Sequence, residues 1–223
     1  MAKKVMVVAP HPDDETLGCG GTILKHRDSG DRVYWLIMTS ISTEEGYEAS
    51  LVKARQKEVA AIQKAYGFNG SFSLDVPTTK LDTIPQGELV RRISGIMDRI
   101  KPEYVYLPYR NDIHSDHQVT FAVVQSAIKT FRVPTIKKVL MYEVVSETEF
   151  SPSLEGATFI PNSFSDITAF INKKIKIMKI YKSELGSHPF PRSTKNIKAL
   201  ATFRGASSGM IYAEAFMVIK EVW

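Results

Sequence analysis

Four short, nearly continuous apolar runs constrain this chain most: Val5–Pro10 (VMVVAP), Arg32–Ser40 (RVYWLIMTS), Glu103–Tyr109 (EYVYLPY) and Lys137–Val145 (KKVLMYEVV). A strand with one wet face alternates polar and apolar residues. Unbroken runs suit strands covered on both faces, as in parallel sheets. Residues 71–76 (SFSLDV) read as a further, weaker strand. Helical spacing fills the intervals. Residues 17–30 read as a glycine-opened helix closed by Gly30. Residues 44–66 carry Leu51, Val52, Val59 and Ile62, and stop at Gly67. Residues 87–100 place Leu89, Ile93, Ile96, Met97 and Ile100 on one stripe before Pro102, and a helix is predicted over 117–131. A long last helix is expected over 165–185, with Ile167, Phe170, Ile171, Met178 and Leu185 on one face. Alternating strands and helices imply right-handed βαβ units. The expected fold is therefore α/β and Rossmann-like, a mostly parallel sheet with helices on both faces, in a single domain over 1–223. Residues 146–164, rich in Ser, Glu, Thr and Pro, read as a loop passing over the site.

Cys19 is the only cysteine, so no intramolecular disulfide can form, which fits a reducing compartment. The start, MAKKVMVVAP, sets two lysines before an apolar run of four residues, too short for a signal peptide and suited to a first strand. No run approaches the length that spans a bilayer, so no membrane partner and a cytoplasmic location are expected. The net charge of +5 can steer anionic substrates. Its lysines are scattered apart from a cluster at Lys173, Lys174, Lys176 and Lys179, and no nucleic-acid signature accompanies them, so no nucleic-acid partner is expected. The helix faces are compatible with a homo-oligomer.

Ligands in open parallel sheets sit at the carboxyl ends of strands. Two such ends carry crowded polar residues: His11-Pro12-Asp13-Asp14-Glu15 after the first strand, and Arg110 to His117 (RNDIHSDH) after the run at 103–109. Three of the five histidines lie in these two loops. Histidine and aspartate together suit zinc, and three ligands with an open fourth position mark a catalytic centre. The candidates are His11, Asp13 or Asp14, His114 and His117. Adjacent residues such as Asp13 and Asp14 point in different directions, so one can ligate while the other holds a water. Spacing leaves open which does which.

The string AxHPDDExLxxGGT at 9–22, with DxHxDH at 112–117, resembles the zinc-dependent de-N-acetylase family named for LmbE and PIG-L. Arg55 and Glu58 resemble its R-x-x-E helix, and Gly205 with Tyr212-Ala213-Glu214-Ala215-Phe216 its closing segment. The resemblance implies one Zn2+ per chain, held by His11, Asp14 and His117. It implies Asp13 as general base, and His114 as the group that stabilises the oxyanion or protonates the leaving amine. Asp116 is implied to fix the tautomer of His114. The implied activity is removal of the N-acetyl group from an N-acetylglucosamine-type glycoconjugate, releasing acetate and an amino sugar. The other readings are a different mononuclear metallo-amidase or phosphoesterase, and a non-catalytic sugar-binding protein.

Other residues have plainer alternatives. Arg55 is expected to contact substrate, against an i, i+3 ion pair with Glu58. His188, in a stiff loop with Pro189, Pro191 and Arg192, is a candidate for the pocket rim, against a structural loop. Tyr142 and Glu143 end a strand near the site. Gly18, Gly20 and Gly21 match no phosphate-loop spacing and suit close packing. Cys19 reads as a small buried hydrophobe, His26 as a surface residue, and Lys174 or Lys182 as a lysine that turns its ammonium inward.

Overall fold

In the computed structural model, which describes residues 2–152, 154 and 156–223, the apolar runs form the middle of one seven-stranded sheet. The elements are β1 (Lys4–Ala9), α1 (Asp14–Asp28), β2 (Arg32–Ser40), α2 (Ala49–Tyr66), β3 (Gly70–Pro77), α3 (Gln86–Ile100) and β4 (Tyr104–Pro108). They continue with α4 (Ser115–Ala127), β5 (Lys138–Tyr142), β6 (Ser163–Asp166), α5 (Ile171–Met178), α6 (Thr194–Ala206) and β7 (Ala213–Glu221). The strand order is β3-β2-β1-β4-β5-β7-β6. The first five strands of that order are mutually parallel, and β7 runs antiparallel to both its neighbours.

The inner parallel strands β1, β2, β4 and β5 are buried on both faces, whereas the edge strand β3 alternates exposed Ser73 and Asp75 with buried Leu74 and Val76. Val5, Val7 and Ala9 of β1 pack on one side with Trp35, Ile62, Tyr66 and Ile177, while Met6 and Val8 pack on the other with Leu36, Leu89, Ile93 and Val123. Each such apolar side chain contributes roughly 1.5–3 kcal/mol on burial. The order reverses at β1, which has β2 on one side and β4 on the other. The chain therefore leaves two adjacent strand ends in opposite directions and opens a crevice between residues 10–14 and 109–117.

The glycines after β1 explain how α1 lies so close to the sheet. A Cβ at Gly18 would come within 2.2 Å of the Tyr142 ring, and one at Gly21 within 2.6 Å of Ile167. Tyr142 is a core residue whose hydroxyl donates to Val8 O (2.7 Å), and Cys19 is fully buried, as its type suggests. Lys174 does turn inward: its ammonium donates to Leu17 O (2.8 Å) and Glu214 Oε1 (2.6 Å). Glu214 in turn accepts from the backbone N–H groups of Gly21 and Thr22, which ties β7 to α1.

Four expectations change. The predicted helix 165–185 is a short strand, then α5, then turns. Residues 163–166 pair with β7, so sheet pairing overrides the apolar stripe, and Tyr181 beyond α5 leaves the helical path to bond Glu15 (2.9 Å). The predicted helix 44–66 begins only at Ala49, because Gly46 stands in the left-handed region (φ 84°). His26 is not a surface residue. Its ring lies between Asp31 Oδ2 (2.7 Å) and Tyr106 Oη (2.9 Å). In the expected loop 146–164, residues 148–150 form a short 3-10 turn and 163–164 belong to β6, while positions 153 and 155 lie outside the described residues.

Candidate metal and catalytic centre

The centre is built where β1 and β4 end side by side. After β1, Thr39 of the neighbouring strand pins the exit by donating its N–H (3.1 Å) and hydroxyl (2.8 Å) to Pro10 O. Asp13 then takes φ 141°, a conformation that L-residues rarely adopt. Its N–H donates to Glu15 Oε2 (3.1 Å), and its carbonyl accepts from Thr16 and Leu17, both at 2.9 Å. The Glu15 carboxylate is fully buried and also accepts from Tyr181 Oη. Burial raises its pKa to about 7. This sharp turn separates the two aspartates. Asp14 points at the histidines, while Asp13 lines the adjacent cleft.

After β4, His114 caps α4: its Nδ1 accepts the backbone N–H of Asp116 at 3.1 Å. His117 lies in the first turn, fully buried. The ring centroids of His11, His114 and His117 stand 4.5, 5.4 and 5.6 Å apart pairwise, although His11 lies more than a hundred positions before the other two. Two overlapping groups bring ligand atoms within 4.8 Å of one another: His11, Asp14 and His117, and His11, His114 and Asp116.

The hydrogen bonds distinguish these groups. His117 Nδ1 bonds Asp112 Oδ2 at 2.8 Å. A carboxylate only accepts, so Nδ1 carries the hydrogen. That leaves His117 Nε2 buried with no hydrogen-bond partner among the described residues, 3.3 Å from Asp14 Oδ2. A buried ring nitrogen facing a carboxylate with no hydrogen bond between them fits a shared cation, and a carboxylate behind the imidazole is the usual support of a metal-ligating histidine. His11 repeats the arrangement. Its Nε2 lies 3.0 Å from Asp116 Oδ2, and its Nδ1 faces Asp14 Oδ2 at 3.4 Å. In the second group Asp116 is already committed, accepting from the N–H of Thr79 (2.7 Å) and Leu81 (3.1 Å), and His114 Nδ1 is occupied. His11, Asp14 and His117 therefore fit a metal better.

Charge follows this pattern. Burial opposes the charged form of His11, but Asp116 and Asp14 outweigh it and raise its pKa to about 9. Burial is likewise outweighed at His117, chiefly by the Asp14 charge and the bond to Asp112, so its pKa rises well above the usual value. At Asp14 the imidazoles overcome burial and hold the carboxyl well below the usual range. Two imidazoles and a carboxylate that jointly favour positive charge form a place for a divalent ion. His114 differs: burial, then the charges on His11 and His117, lower its pKa to about 4. It is neutral, and with Nδ1 accepting, its hydrogen is on Nε2. Burial and the Asp14 charge push Asp13 well above the carboxylate range.

The cleft beside these residues has a volume of about 850 Å³. Of the residues that stand out in the sequence, Asp13, Asp14, His11, His114 and Arg55 line it. Asp116 does not sit as expected. Its carboxylate is on His11 and stands 4.0 Å from His114 Nδ1, which it reaches through its backbone N–H instead. His188 is exposed and absent from the lining; the same loop delivers Arg192, and Glu184 precedes it. Glu143 also lies outside, bonded to Arg204 by two contacts. Asp112 was assigned no role from the sequence. Its place five residues before His117 was the available signal, but the intervening turn had to be known.

The chain is similar to known proteins along most of its length. One relative, the diacetylchitobiose deacetylase of Thermococcus kodakarensis, is 26% identical over 99% of this chain and 85% of its own length. Among solved structures, the conserved protein TT1542 of Thermus thermophilus superposes with a TM-score of 0.80 at 26% identity, covering 99% of this chain and 96% of that one. The N,N′-diacetylchitobiose deacetylase of Pyrococcus horikoshii superposes with a TM-score of 0.77 at 24% identity, covering 98% and 84%. Residues 6–128, which contain both strand ends and every residue of the candidate metal group, match the profile described as PIG-L, GlcNAc-PI de-N-acetylase, and the chain belongs to that family.

Proposed function

We propose that this protein is a zinc-dependent hydrolase that removes the N-acetyl group from an N-acetylglucosamine-type sugar conjugate, releasing acetate and a free amine. The buried, partnerless Nε2 of His117, set against Asp14 with Asp112 behind it, carries this reading. Two imidazoles and one carboxylate leave a fourth position open, the donor set of a catalytic zinc centre. Relatives that act on diacetylchitobiose support the sugar class. The cleft, about 850 Å³, is large enough for a disaccharide-sized ligand.

Zinc held by His11, Asp14 and His117 would supply Lewis acidity and lower the pKa of water toward about 7. Asp13, on the cleft side of the same turn, takes a proton from the attacking water as the new C–O bond forms. A carboxylate at that place can take the proton and hold it until the nitrogen departs. Neutral His114 presents Nε2–H to the oxygen on which negative charge develops. The C–N bond then breaks as Asp13 returns its proton to the departing nitrogen. Asp116 and Asp112 position His11 and His117. Arg55 forms part of the cleft wall.

Acetate release from N-acetylated sugar conjugates, followed with metal-free protein and after adding zinc, tests this reading. Release is expected to require zinc, and D13A is expected to lower it by at least about a hundredfold. Full turnover by D13A with fold and zinc intact would refute the assignment.

A further inference from the structure

The cleft contains two arginines, and arginines beside a sugar pocket ordinarily suggest recognition of a carboxylate or phosphate. Here both guanidinium groups are already engaged by protein oxygens. Arg55 donates through Nη1 to Pro12 O (3.0 Å) and through Nη2 to Ser183 Oγ (3.0 Å) and Glu184 Oε1, and its Nε stands 3.7 Å from Glu58 Oε2. Arg192 donates through Nε to Glu184 O (3.1 Å) and through Nη1 to Ser146 Oγ (3.3 Å), while its Nη2 is 3.2 Å from Glu184 Oε2. Every one of the six nitrogens has an oxygen within 3.7 Å, and one carboxylate, that of Glu184, sits between both arginines. These side chains are only partly exposed: 14% for Arg55, 19% for Glu184 and 24% for Arg192. Asp75 and Glu147 add two further carboxylates to those of Asp13, Asp14 and Glu184, and no lysine is among the described residues of the lining. Even a divalent ion in the metal group leaves this cleft without surplus positive charge.

We infer that Glu184 is a specificity determinant: by neutralising Arg55 and Arg192 it tunes the cleft to uncharged aglycones and against those bearing carboxylate or phosphate. This rests on the deacetylase reading above and deepens it. It also reverses what the net charge of +5 suggests, because only two basic residues, Arg55 and Arg192, are among the described residues of the lining and both face carboxylates. An anionic aglycone would have to displace Glu184 from two guanidinium groups or lie beside it, and like charges in contact are strongly disfavoured.

The test compares N,N′-diacetylchitobiose, which is uncharged, with N-acetylglucosaminyl malate, which carries two carboxylates. Acetate release and calorimetric Kd are measured for wild type, E184Q and R192Q. Wild type is expected to favour the uncharged conjugate by roughly tenfold or more in kcat/KM. E184Q is expected to move that ratio more than about threefold toward the malate conjugate, mainly through KM, and R192Q to move it the other way. E184Q also changes the field at Asp13, which alters both rates alike, so the ratio is the readout. Turnover of both conjugates with a smaller shift in E184Q, or a wild-type preference for the malate conjugate, would overturn the inference. Absence of acetate from both would instead count against the deacetylase reading. The Kd values would then decide the inference alone: a charge preference unchanged by E184Q overturns it.

Discussion

Removing Asp112 should weaken the metal centre without touching a ligand. Its Oδ2 accepts from His117 Nδ1 at 2.8 Å and its Oδ1 from the half-buried Thr148 hydroxyl at 2.6 Å, and Asp112 itself is fully buried. D112A strands the Nδ1–H of a fully buried ring, at a cost of about 1–3 kcal/mol to the fold. It also frees the ring to turn and to place its hydrogen on Nε2, the nitrogen facing Asp14. Loss of such a supporting carboxylate typically lowers metal affinity 10–100-fold, which is about 1.4–2.7 kcal/mol at 1.36 kcal/mol per decade. D112N separates charge from geometry. Its amide oxygen can still accept from Nδ1, and its NH2 can donate to Thr148 Oγ1, so the loss should fall near the lower limit. Competition titration against a zinc-binding indicator, with urea unfolding of the metal-free proteins in parallel, measures both effects. Wild-type affinity in a folded D112A protein would refute the orienting role, and equal losses in the two variants would refute the separation.

Metal binding should weaken in acid. The carboxylates that raise the pKa of His11 to about 9 favour its protonated form, whereas a ligand nitrogen must be unprotonated. Apparent affinity should rise with pH by about tenfold per unit for each imidazole that loses a proton; calorimetry in two buffers of different ionisation enthalpy would reveal the released protons, and none would contradict the assignment. In the metal-free protein the same raised pKa stabilises the fold fully below 6.5 and loses that contribution as pH climbs through about 9, which urea titrations across that window can follow. K174M should destabilise the protein by about 3–5 kcal/mol, because it leaves the buried Glu214 carboxylate without its cation. A loss below about 1 kcal/mol in denaturant unfolding would mean that the N–H groups of Gly21 and Thr22 suffice for Glu214.

Much of this was legible in the residues because it depends on local pattern. Unbroken apolar runs demand strands covered twice, so the β1, β2, β4 and β5 positions and the parallel sheet followed from period alone. The polar clusters at 11–15 and 110–117 stood out because chains rarely leave buried strands so crowded with charge. Three other features came only from tertiary structure. Strand order set β1 beside β4, and without that reversal His11 and His117 would not meet. Cross-sheet pairing with β7 turned the start of an apparent helix at 165 into β6, since a local 3.6-residue stripe cannot register a partner fifty residues away. The direction of polar side chains was also hidden. Asp116 faces His11 rather than His114, Asp112 supports His117, and Glu184 occupies two arginines that spacing alone presents as free. Periodicity reports which face of an element is buried. Which donor meets which acceptor is decided by how separate elements pack, and that is where the chemistry of this centre is set.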